Sequence, residues 1–187
     1  MSLLSPRISL SKISLFLILP LIFIIPKPAL TENSKVLFSP NGGCQEAIVL
    51  EISKAKKTID VAMYYLTTRE IAQELVKAKE KGVAIRIFLD QSQEHASYSK
   101  SRYLMKRGIE VRFYVGSGLM HNKFAIIDNK TLITGSFNWT ATADRENQEN
   151  LLIMTDKDLI KQYSDRFELL WKSGRKSELK LEEGGEE

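Results

Sequence analysis

The stretch that decides how this chain is read runs His121-Asn-Lys123-Phe-Ala-Ile-Ile-Asp128-Asn-Lys-Thr-Leu-Ile-Thr-Gly135-Ser136-Phe-Asn138. Lys123–Asp128 and Thr131–Ser136 both read as short apolar strands, and Asn129-Lys130 reads as a two-residue hairpin loop. That register pairs Asp128 with Thr131, Lys123 with Ser136 and His121 with Asn138. Residues two apart on a strand share a face, and so do residues directly opposed, so His121, Lys123, Ser136 and Asn138 are expected to converge on one patch. Asp128 has the other parity and is expected to serve the turn, or to support the site without entering it. Gly135 has no side chain and is expected to let a substrate phosphate approach the backbone.

The residue types point to phosphate chemistry. A neutral imidazole is available near physiological pH and can attack phosphorus, which divides one hard displacement into two through a covalent phosphohistidine. Lys123 would supply fixed positive charge for the phosphoryl oxygens, and Ser136 and Asn138 would supply donors. No second cluster of His, Asp and Cys shows metal-ligand spacing, so the site is expected to need neither a metal nor a cofactor.

These residues resemble the HxKx4Dx6GSxN signature of the phospholipase D superfamily, and every fixed position is present. The surrounding order of segments is similar to the small single-motif branch, which includes bacterial periplasmic endonucleases and the mitochondrial cardiolipin hydrolase type. The resemblance runs from about Val36 to about Trp171. It implies a further acidic residue that helps orient the histidine and lysine, which maps to Glu149 in preference to Glu146.

The two-step mechanism also needs an acid for the leaving alkoxide, which then serves as base for the attacking water. The chain has one other histidine, His95, in a polar stretch with no lysine two residues on. It reads as an exposed loop residue or a contact at the rim of the site. The second imidazole is most simply His121 of another subunit, because a two-fold contact sets identical patches face to face. The resemblance implies the same homodimer.

Outward from the motif, strand and helix signals alternate. Strands are expected at 36–38, 58–65, 83–89, 109–114 and 150–154, and helices at 43–56, 68–81, 97–107 and 156–172, with Gly82 and Gly108 closing two of them. This pattern predicts an α/β fold: a mixed, largely parallel sheet flanked by helices on both faces, with the signature hairpin antiparallel within it. The catalytic domain is expected over 32–173, with 174–187 a charged, flexible tail.

Residues 1–31 stand apart. Arg7 and Lys12 precede a short apolar run, and no acid occurs before Glu32. This is the pattern of a secretory signal peptide, predicting a secreted or periplasmic protein; the alternative is an uncleaved anchor that associates with a membrane through residues 8–25. The formal net charge of +4 falls to about +1 without this leader, so nucleic-acid binding is not argued from net charge. The local basic clusters, Lys54/Lys56/Lys57 and Arg102/Lys106/Arg107, suit helix ends and solvation as well as a ligand. Cys44 is the only cysteine, which excludes an intramolecular disulfide and favours a small buried packing residue.

Trp139, Tyr64, Tyr65 and Tyr114 are candidates for stacking on bases. Trp139 is expected at the mouth of a groove as a substrate contact, and Tyr64 in the core. The function these features predict is a metal-independent phosphodiesterase cleaving DNA or RNA with little sequence preference. A phospholipid hydrolase of cardiolipin type and a non-catalytic nucleic-acid-binding module are the alternatives.

Overall fold

Buried positions along the helices recur at three- and four-residue spacing, which gives each helix one apolar stripe. Helix α1 (Cys44–Lys54) buries Cys44, Ala47, Ile48 and Ile52. Helix α2 (Arg69–Glu80) buries Ile71, Ala72, Leu75, Val76 and Ala78. Helix α6 (Lys157–Ser173) buries Ile160, Phe167, Leu170 and Trp171, and its first turn is capped by Asp156, whose carboxylate accepts from the Leu159 N–H at 2.7 Å. Shorter helices α3 (Ser92–His95), α4 (Ser101–Lys106) and α5 (Ala141–Arg145) complete the helical set in the computed structural model, which describes residues 34–179. The leader, its cleavage site and residues 8–25 lie outside the described residues, as do residues 180–187.

The strands are β1 (Lys35–Ser39), β2 (Thr58–Met63), β3 (Ala84–Leu89), β4 (Glu110–Phe113), β5 (Lys123–Ile127), β6 (Thr131–Gly135), β7 (Glu149–Met154) and β8 (Arg175–Lys176). They form one sheet in the order β1-β7-β6-β5-β2-β3-β4-β8. The α/β class and the mixed sheet follow the expectation, but the sheet is not largely parallel. Only β2–β3 and β3–β4 run parallel, joined by helical crossovers, and the other five pairings are antiparallel. The difference comes from the signature hairpin, the placement of β5 against β2, the return of β7 beside β6 and the two edge strands β1 and β8; of these only the hairpin is a tight two-strand connection.

Strand residues alternate between two apolar layers. Ile59, Val61, Met63, Ile85, Ile87, Ala125, Ile127 and Ile133 pack under α1, α2 and α4. Ala62, Phe88, Phe124, Ile126 and Leu132 pack against α6 on the other face. Arg86 ties α6 to the sheet: its guanidinium bonds both oxygens of Asp60 (2.7 and 2.8 Å), reaches Glu168 at 2.7 Å and lies 4.9 Å from the Phe167 ring centroid. A forked pair of this kind is worth more than a loose surface ion pair because its geometry is fixed on both oxygens.

Three local expectations are corrected. The helix expected over 97–107 shrinks to α4 over 101–106, and the stretch expected to be a loop around His95 holds the short helix α3, with a turn at 96–100 between them. The tail expected to fray from 174 begins instead with β8, whose Arg112↔Lys176 and Phe113↔Arg175 pairings extend the sheet. Arg175 binds the carboxylate of Glu94, a side chain with no exposed surface, which also accepts from the Ser177 hydroxyl and the Glu178 N–H at 2.9 Å each. Burial alone would raise the Glu94 pKa; these bonds outweigh it and hold the carboxyl down at about 2.

The third correction is the hairpin register. The pairs are Phe124↔Thr134, Ala125↔Ile133, Ile126↔Leu132 and Ile127↔Thr131, one residue away from the expected set. Asp128 leaves the strand and joins the turn, with Asp128 at φ 54 and Asn129 at φ 50. Its carboxylate accepts three backbone N–H groups, from Lys56 (2.8 Å), Lys57 (2.7 Å) and Thr58 (2.9 Å). These bonds, with Asp128 N–H to the Thr58 carbonyl at 2.9 Å, pull the residue out of the ladder and pin the hairpin tip to the α1–β2 connection.

Candidate active site

Strand polarity gathers the motif at one end of the sheet. The antiparallel pairing Met63↔Lys123 brings the end of β2 beside the start of β5. The residue that follows β2, Tyr64, donates its N–H to the Asn122 carbonyl at 3.0 Å, beside His121. The pairing Gly135↔Leu151 likewise puts the end of β6 beside the start of β7, where Glu149 stands.

His121 is exposed, and its ring lies 4.6 Å from that of Tyr64. Lys123 is buried at 8% exposure, with its ammonium 5.1 Å from the Tyr64 ring centroid and donating to the His121 carbonyl at 2.8 Å. Burial lowers the Lys123 pKa, and the charge of Glu149 opposes that shift. Glu149 accepts from the Ser136 hydroxyl and, at 3.0 Å, from the Asn147 amide. Ser136 in turn accepts the Asn150 N–H at 3.1 Å. The Asn138 side-chain oxygen accepts the Tyr65 N–H at 3.3 Å, which leaves the amide nitrogen as its donor end. The motif therefore forms two linked groups: His121, Lys123 and Tyr64 on one side, Ser136 and Glu149 on the other. The electrostatic contact between Lys123 and Glu149 joins them.

The convergence does not arise as the hairpin parity suggested, since Ser136 reaches across to β7 and not to Lys123. Gly135 is the reason the chain can turn there. It sits at φ 146, and a Cβ would overlap the Asn150 carbonyl oxygen. The missing side chain makes room for the neighbouring strand. Asp128 lies at the far end of β5, roughly 17 Å along a strand of this length, and holds backbone, not substrate.

Trp139 is not at the mouth of a groove. It is 1% exposed and packs in the core, where its backbone bonds Tyr65, Thr67 and Thr68. The indole follows a motif residue in sequence but falls on the inward side of an extended segment, the parity opposite to Asn138. Tyr64 shows the reverse error: expected in the core, it is half-buried against His121 and Lys123. His95 is exposed, as expected, but on the short helix α3. Cys44 is fully buried and its thiol is raised to about 11, first by burial and then by the charges of Asp144 and Glu46.

Asp90 is the site residue that the sequence did not disclose. Its side chain is 1% exposed and accepts the Met120 N–H at 2.9 Å, immediately before His121, while its other oxygen takes the Ser92 N–H and hydroxyl. Only the crossover of β3 next to β2 brings position 90 to position 120, so no local signal could have found it.

A family model described as cardiolipin synthase, PLD-like domain, matches residues 48–171. The chain belongs to the phospholipase D superfamily. Within that superfamily it falls in the single-motif branch and is a phosphodiesterase. A phospholipase D of Rickettsia conorii is 40% identical over 134 residues, which cover 71% of this chain and 67% of that protein. The mitochondrial cardiolipin hydrolase of Xenopus tropicalis is 33% identical over 124 residues, covering 66% of this chain and 59% of that protein. The chain thus spans roughly two thirds of the length of such relatives. Among solved structures, the phospholipase D family member Nuc from Salmonella typhimurium superposes with a TM-score of 0.74 at 30% identity, covering 78% of this chain and 97% of Nuc.

Proposed function

We propose that this phospholipase D superfamily member is a nuclease that cleaves nucleic-acid phosphodiesters through a phosphohistidine on His121. The observation that carries the reading is the exposed His121 ring seated on Tyr64, with the buried ammonium of Lys123 fixed behind it. An imidazole nitrogen attacks phosphorus and the bond to the leaving oxygen breaks. That alkoxide takes a proton from His121 of the partner subunit. Water then gives a proton to the same imidazole and displaces His121, releasing a phosphomonoester. Lys123 and the Asn138 amide face the charge that grows on the phosphoryl oxygens, and Ser136 with Glu149 fixes the wall opposite the lysine. The homodimer belongs to this reading because the mechanism needs two imidazoles at the phosphate and the chain carries one motif histidine, while His95 stands apart on α3 with no lysine two residues on. The likeness to Nuc over nearly all of its length supports the nuclease reading. The basic and then apolar pattern of residues 1–31 supports reading the protein as periplasmic or secreted, with a membrane anchor as the alternative.

The second reading is a phospholipid hydrolase of cardiolipin type. Val115 and Leu119, 45% and 61% exposed on the loop that leads into His121, are the observation in its favour, because acyl chains would cover them. Incubating the purified protein in parallel with single-stranded DNA, duplex DNA, RNA and cardiolipin vesicles, with and without EDTA, tests both. Cleavage of nucleic acid that survives EDTA is the expected result. Hydrolysis of cardiolipin alone would favour the second reading, and loss of activity on chelation would remove the metal-free scheme.

A further inference from the structure

A run of touching rings leads away from His121. Tyr64 lies 4.6 Å from it, Tyr65 lies 4.1 Å from Tyr64, and Tyr98 lies 6.3 Å from Tyr65 with its ring near-perpendicular at 77°. The Tyr64 and Tyr65 hydroxyls are 3.2 Å apart. Tyr64 is occupied by its contacts with Tyr65, His121 and Lys123, and Tyr65 is half-buried. Tyr98 stands at the outer end, 56% exposed, in the turn between α3 and α4. A large ring held by its neighbour and turned to water is a ready stacking surface, and it loses little freedom on engaging a ligand.

The charges around Tyr98 suit a polyanion. From His95 to Arg102 the chain carries no acidic residue, and Lys100 and Arg102 follow Tyr98 at two and four positions. Arg102 is exposed, and the His95 side chain is 69% exposed. The nearest acid in sequence, Glu94, is buried and committed to Arg175.

We propose that Tyr98 is a nucleobase-stacking subsite, and that the substrate of this site is therefore a single-stranded nucleic acid. The inference rests on the nuclease reading above. Each base of a single strand has a free π-face, whereas the bases of a duplex are already stacked on one another and a phospholipid diester has none. A strand bound with its phosphate at His121 and a neighbouring base on Tyr98 runs along the tyrosine edge, with its backbone beside Lys100 and Arg102.

The test compares the full chain with Tyr98→Ala and Tyr98→Trp on one oligodeoxynucleotide, on the same oligonucleotide with abasic sites, and on the matching duplex. Wild type is expected to favour the base-bearing single strand over both others. In Tyr98→Ala the ratio of kcat/KM for base-bearing over abasic strand falls by roughly 5- to 100-fold, and Tyr98→Trp keeps it. An unchanged ratio in Tyr98→Ala overturns the subsite while leaving the nuclease reading in place. A wild type that cleaves cardiolipin vesicles and no oligonucleotide overturns both.

Discussion

The ammonium of Lys123 is held 5.1 Å from the centre of the Tyr64 ring, in a setting that leaves the residue 8% exposed. A cation over a tyrosine face is favourable, but its removal from water is not, and burial lowers its pKa against the opposing charge of Glu149. The lysine is thus kept charged for chemistry at some cost to the fold.

Lys123→Met is expected to lower kcat by a factor on the order of 10² or more without lowering the melting temperature at pH 7. The sign follows from the depressed pKa: the unfolded state binds more protons, so wild-type stability rises with pH through the window just below the ordinary lysine value. The methionine variant should lack that rise. Thermal melts from pH 7 to 10 alongside steady-state kinetics check both parts.

His121→Ala is expected to abolish hydrolysis while shifting the unfolding free energy by no more than about 0.5 kcal/mol, because the ring is exposed. Sedimentation should show the variant in the same oligomeric state as the wild type. Residual turnover near the wild-type rate would remove the nucleophile assignment.

Asp128→Asn is expected to leave kcat unchanged and to cost about 1–3 kcal/mol, since an amide cannot accept on both ends and would face the Lys56 N–H with another donor. Burial opposes the shift, but the three backbone bonds hold the Asp128 pKa below its ordinary value. Its contribution is therefore present above about pH 4 and fades as pH falls through the depressed pKa. Urea titrations should show the gap between wild type and variant closing below that pH.

Truncation after Ser173 removes β8 and leaves the Glu94 carboxylate buried without Arg175, Ser177 or the Glu178 N–H. The urea midpoint is expected to fall, and Glu94→Gln in the truncated chain to restore part of the loss, because the amide carries no charge to strand. In the full chain the clamp should weaken between about pH 4.5 and 2, as Glu94 approaches its lowered pKa of about 2.

The strands and long helices were legible because their apolar residues repeat at periods of two and of three to four, as in Thr58–Met63 and Arg69–Glu80. His121, Lys123, Ser136, Asn138 and Glu149 were legible as a set, and the structure brings them to one end of the sheet. The hairpin register was not, because the residue that decides it, Asp128, answers to N–H groups some seventy positions earlier. Trp139 and Tyr64 exchanged places for a related reason: which side of an extended segment faces inward is settled by the neighbouring strands. β8 escaped notice because two residues carry no periodicity, and its anchor, Glu94, reads in sequence as one more surface acid.

Six positions define the signature, yet they stand at opposite ends of one hairpin. Substitutions around His121 should yield alleles that are inert but well folded, recessive in a cell with one intact copy unless mixed subunits form. Substitutions at Asp128 should instead behave conditionally, with catalysis intact at low temperature and failing as the tip of the hairpin comes loose on warming.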